Sequence, residues 1–64
     1  MKPDWKDAPD WAKYLAQDSG SNWWWYAEKP RADYRNEEFV GGGKCEIAYD
    51  ARISEWESTL EPRP

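Results

Sequence analysis

The side chains able to do chemistry in this chain are thirteen carboxylates, one thiol and a few hydroxyls. Histidine is absent, which removes the commonest general base at neutral pH, the usual zinc ligand, and any Ser-His or Cys-His nucleophile pair. Cys45 stands alone, so it forms neither a Cys-x-x-Cys site nor an internal disulfide, and a chain with one cysteine suits a reducing cytoplasm. Ser19, Ser21, Ser54 and Ser58 sit in turn or cap contexts, where local hydrogen bonding accounts for them. The carboxylates show no calcium-loop spacing, and the acidic run Asp33 to Glu38 reads as a solvated face. Gly41-Gly42-Gly43-Lys44 has neither the glycine spacing nor the Lys-Ser/Thr ending of a phosphate-cradling loop, and reads as a turn. The expectation is a protein that is not an enzyme and carries no metal or cofactor.

What remains is binding chemistry, and it is aromatic. The chain has six tryptophans, four tyrosines and one phenylalanine in 64 residues, with four rings consecutive in Ser21-Asn22-Trp23-Trp24-Trp25-Tyr26. Each such ring covers roughly 150–250 Å² when buried. Adjacent residues of a strand point to opposite faces, so Trp23, Trp24, Trp25 and Tyr26 cannot all enter one core. Either the N-terminal arm and a C-terminal helix cover the second face with Trp5 and Trp56, or Trp24 and Tyr26 stay partly exposed as a contact centre. Tryptophan and tyrosine are over-represented among residues that dominate binding energy, and so Trp24 and Tyr26 are the candidate partner-binding pair. Asp33, Glu37, Glu38, Glu55 and Glu57 form its acidic rim. The net charge of −4 disfavours a phosphate backbone as ligand, so direct nucleic-acid binding is not expected. No run approaches a membrane span, and Met1 to Trp5 lacks the apolar region of a signal peptide, so the expectation is a soluble chain.

The elements that must position these residues follow from pattern. Met1 to Asp10, with Pro3 and Pro9, reads as an irregular arm pinned by Trp5. Trp11, Tyr14 and Leu15 fall at helical spacing, but Trp11 to Asp18 also reads as a strand. If Asp18 faces Trp23 across a turn, Gln17 meets Trp24, Ala16 meets Trp25 and Leu15 meets Tyr26, and small residues lie opposite large ones. That matching favours the strand. Trp23 to Glu28 is the clearest strand, ended by Lys29-Pro30, and Arg31 to Glu38 is a charged loop. Lys44 to Tyr49 alternates as a third strand with Cys45, Ile47 and Tyr49 on an apolar face, which makes Cys45 a buried small hydrophobe. Ser54-Glu55-Trp56-Glu57 matches a capping box, predicting a short helix over 54–60 that Pro62 stops. The predicted fold is thus a single α+β domain over 1–64. It consists of an irregular arm, a small three-stranded antiparallel sheet over 11–50, a short C-terminal helix and an extended tail.

The segment from Trp11 to Pro30 resembles a pattern found in small phage and prophage proteins. In them a Trp-Ala pair precedes an aromatic-rich strand, an Asp/Gly turn, a Trp-rich strand and a Lys-Pro stop. Trp56 to Pro64 is similar to their ending, with an extra residue between Ser58 and Leu60. The resemblance covers about half of the chain. It implies a phage-encoded protein in the cytoplasm of a host bacterium, and it carries over no catalytic residue. The function expected is inhibition or modulation of a host protein, such as a CRISPR effector or another defence or transcription complex. Two alternatives accompany it: an acidic mimic of DNA in a nucleic-acid channel, and a structural or virion component that self-associates through an open sheet edge.

Overall fold

Trp23, Trp24, Trp25 and Tyr26 are extended, as a run of β-prone rings dictates, and they lie inside a sheet whose two faces are both covered. The computed structural model describes residues 3–20, 22–50 and 56–64. Its strands are β1 (Tyr14–Gln17), β2 (Asn22–Tyr26), β3 (Arg31–Asp33), β4 (Glu38–Val40), β5 (Cys45–Asp50) and β6 (Glu61–Pro62). They form a four-stranded antiparallel sheet in the order β5-β2-β1-β6 and a separate hairpin of β3 and β4. The only helical pieces among the described residues are single 3-10 turns at Trp5–Asp7 and Trp56–Ser58. The expected α+β arrangement is therefore replaced by two antiparallel sheets.

Each departure has a local cause. The expected C-terminal helix reduces to the turn at Trp56–Ser58, because the residues after it are drawn into the sheet. Thr59 Oγ1 accepts from Gln17 N–H at 2.8 Å and donates to Trp56 O at 2.7 Å, and Glu61 and Pro62 pair with Leu15 and Tyr14. A seven-residue helix is marginal alone, whereas the free edge of β1 offers a ready ladder, and proline is tolerated on an edge strand. The capping residues Ser54 and Glu55 lie outside the described residues. Residues 31–38 are not a loop throughout: Ala32 pairs with Phe39 in the β3–β4 hairpin, and the Asp33 carboxylate braces its turn by accepting from Arg35 N–H and Asn36 N–H.

The β1–β2 register is one residue away from the expected one. Gln17 faces Trp23, Ala16 faces Trp24, Leu15 faces Trp25 and Tyr14 faces Tyr26. The cause is Asp18, whose N–H donates to Asn22 O at 3.0 Å while its Oδ1 accepts from Gly20 N–H and Asn22 N–H at 2.9 and 3.1 Å. That carboxylate closes the turn on Asn22 instead of Trp23, and a one-residue change reassigns every cross-strand pair.

The faces follow from the pairing. Leu15, Trp23 and Trp25 pack with Ala12 beneath the arm, where Trp5, Ala8 and Trp11 cover them. Trp5 sits 5.0 Å from Trp25, ring to ring, and donates its indole N–H to Glu61 at 2.7 Å. The opposite face holds Ala16 and Tyr26 with Phe39 and Trp56, joined by Tyr14, Trp24, Ala32 and Leu60. Phe39 meets the Trp56 ring edge-on at 5.4 Å, so the β3–β4 hairpin and the turn at Trp56 cover this side. On β5 the register shifts between its pairings to Trp23 and Trp24, which breaks the predicted alternation. Cys45 is exposed and Ile47 is half exposed, so neither takes the buried place expected of it.

Candidate functional site

The sequence-derived contact pair is split by its surroundings. Trp24 keeps partial exposure, whereas Tyr26 is only 6% exposed, so it is no part of an open patch. The correction follows from the β3–β4 hairpin, which lays Phe39 and Trp56 over the Tyr26 side of the sheet. Both residues nonetheless line one half-open cleft of about 220 Å³, together with Asp18, Glu38, Phe39 and Cys45.

Three elements build it. β2 supplies Trp24 and Tyr26 from alternate positions on one face. The β1–β2 turn supplies Asp18, whose Oδ2 accepts from the Trp24 indole N–H at 3.2 Å. β4 supplies Glu38 and Phe39, held in place where Ser19 N–H donates to Glu37 O at 3.1 Å. Glu37 adopts φ 57°, a left-handed conformation uncommon for a residue with a side chain, at the point where the two hairpins meet.

Among the described members of the acidic rim, only Glu38 enters the cleft. Asp33 is occupied as the brace of its turn, Glu37 is exposed at the hairpin junction, and Glu57 is exposed in the turn beside Trp56. Glu55 lies outside the described residues. Asp18, Phe39 and Cys45 line the cleft in addition to the residues that the sequence pattern names. Asp18 had a signal, since aspartate at the start of a turn commonly accepts from the backbone two residues on. Phe39 and Cys45 had none, because their place depends on a hairpin and a β5 register that pattern did not reveal.

The electrostatics favour a cation. The Tyr26 hydroxyl lies near acidic groups. Its burial, and then the neighbouring Cys45, Asp18 and Glu38, push its pKa well above the ordinary 10.0, so it stays a neutral phenol at pH 7. Neither Asp18 nor Glu38 is paired with a cation among the described residues. Elsewhere the chain puts its own cations over its rings: Lys44 Nζ lies 4.8 Å from the Trp11 ring centre and Arg63 Cζ lies 5.5 Å from that of Trp5. The Trp24–Tyr26–Phe39 cleft has ring surface and carboxylate oxygen without such a partner, and both attract positive charge. Among the described residues no group of three or more carboxylate or thiol side chains is placed to hold a metal ion, and no helix is long and apolar enough to cross a membrane.

Comparison with known proteins gave no match: no protein-family model, no curated protein and no solved structure is similar to this chain.

Proposed function

We propose that this chain is a non-enzymatic binding module that docks on a basic surface of a bacterial host protein and inhibits or modulates it. A defence effector such as a CRISPR complex, or a transcription complex, is the kind of target that the resemblance to small phage proteins implies, and the host cytoplasm is where it acts. One observation carries the reading. The cleft combines the rings of Trp24, Tyr26 and Phe39 with the carboxylates of Asp18 and Glu38, which no cation of the described residues pairs. This combination stabilises an inserted lysine or arginine side chain, with Trp24 as the apolar contact and Glu38 as the charged one.

Affinity capture from host lysate with wild type, Trp24→Ala and Glu38→Lys, each shown to be folded by its far-ultraviolet spectrum, tests it. Wild type retains a partner that both variants lose. A partner held equally by all three rules out the cleft as the contact. A partner insensitive to Trp24→Ala, yet released from wild type by moderate salt, supports DNA mimicry instead.

A further inference from the structure

β5 is an edge strand, and the direction of its outer main-chain groups follows from the ladder. Ala27 N–H donates to Lys44 O at 2.9 Å, so residues 27 and 44 form a hydrogen-bonded pair. Antiparallel pairs alternate between bonded and non-bonded. Tyr26 and Cys45 are then a non-bonded pair, Trp25 and Glu46 a bonded one, and Trp24 and Ile47 non-bonded again. The N–H and C=O groups of Cys45 and Ile47 therefore point away from β2, and no strand of the described residues lies against them. Gly43 to Ile47 are all exposed, with Ile47 at 50%, and β5 contains no proline. Glu46 and the irregularity past Ile47 guard it in part, and the stretch up to Ile47 remains a template for another strand.

A cleft flanks this edge on each face of the sheet. Beside Cys45 is the one of Asp18, Trp24, Tyr26 and Glu38. Beside Glu46, on the opposite face, a second cleft of about 240 Å³ is lined by Asp4, Asp7, Trp25 and Glu46. Both are acidic and both contain a tryptophan.

We infer that β5 receives an extended basic segment of a partner protein, which adds to the sheet as a fifth strand. This deepens the binding-module reading, on which it rests, by naming the chemistry of the partner. Neighbouring side chains of an extended segment point to opposite faces, so two adjacent basic residues place one cation in each cleft. A second copy of this chain is the poorer occupant, since it brings another net charge of −4 against clefts that are already acidic.

The probe is acetyl-Thr-Val-Lys-Lys-Val-Thr-amide at millimolar concentration, added to the isotope-labelled full chain, with amide hydrogen exchange read by NMR. Exchange at Cys45 and Ile47 slows by about tenfold or more on binding. The same peptide N-methylated at every residue, or with Glu-Glu in place of Lys-Lys, leaves both amides fast. A lysine peptide that moves the Trp24 indole resonance but slows neither amide overturns the strand addition while leaving the binding-module reading intact. Slowing that grows with protein concentration in the absence of peptide assigns the edge to self-pairing and overturns the inference. So does the absence of any response to the lysine peptide.

Discussion

Replacing Gly42 by alanine tests the packing of the candidate site at its most crowded point. A Cβ built at Gly42 meets Tyr26 Cδ1 at 2.2 Å, Cγ at 2.9 Å and Cβ at 3.1 Å. Carbon atoms rest about 3.5–4.0 Å apart, so the ring must retreat by roughly 1 Å or more. Rotation about χ1 moves Cγ and Cδ1 but leaves Tyr26 Cβ where it is, so the strands themselves must separate. The ring has little room to yield, because Ala16, Phe39 and Trp56 pack in the same cluster at 0%, 7% and 8% exposure. Overpacking of this kind costs about 1–3 kcal/mol. Gly42 is not among the glycines with positive φ, so alanine recovers about 0.4–1 kcal/mol through the unfolded chain. A contact at 2.2 Å places the overpacking in the upper half of that range, at about 2–3 kcal/mol, so the net expectation is a loss of about 1–2.6 kcal/mol, or a Tm lower by roughly 4–21 °C for a domain of this size. Urea unfolding followed by tryptophan fluorescence measures it. In a Tyr26→Ala background the same substitution becomes neutral or stabilising, and the cycle shows a coupling above about 1 kcal/mol. A Gly42→Ala variant as stable as wild type, with the Trp24 indole resonance unmoved, would falsify the close approach of β2 to the Gly42 backbone.

Three further outcomes follow from the same geometry. Thr59→Val leaves the Gln17 N–H without its acceptor and costs about 1–3 kcal/mol, and amide exchange at Gln17 accelerates while that at Trp25 follows only the global loss. Glu37→Gly relieves the left-handed backbone at φ 57° and stabilises by up to about 1 kcal/mol; destabilisation would mean that its side chain, and not its carbonyl, holds the hairpins together. In an alkaline titration read by phenolate absorbance, Tyr26 ionises well above the ordinary 10.0, and Tyr26→Phe removes that late step alone. Above pH 10 the unfolded chain loses this proton while the folded chain keeps it, so stability is level below pH 10 and falls as pH rises beyond it. A stability profile that stays flat above pH 10 contradicts the burial of this phenol.

What pattern reveals here, and what it hides, can be followed residue by residue. Trp23 to Tyr26 is legible because its preference for extended backbone is strong and local. The hairpin was visible too, but its register depended on whether Asp18 closes on Asn22 or Trp23, a choice made by one carboxylate. β3 and β4 leave no mark in the sequence pattern because three residues each, with Ala32 and Phe39 as the inward pair, are too few to show a period. β6 consists of a glutamate and a proline, and only the vacant side of β1 makes it a strand. The cleft inherits these limits: Trp24 and Glu38 could be named in advance, whereas the burial of Tyr26 under Phe39 and Trp56 could not.

The residues that pair with the outer side of β1 lie far from it along the chain. Arg63 Nη1 donates to Ala12 O and Pro9 O at 2.7 and 3.0 Å across more than fifty residues of chain, and its N–H reaches Lys13 O. Without residues 61–63, β1 lacks its outer neighbour and Trp5 lacks both Glu61 and Arg63. The outer main-chain groups of β1 are then bared as those of β5 already are, so these three residues decide whether the strand under Trp5 is paired on both sides or on one.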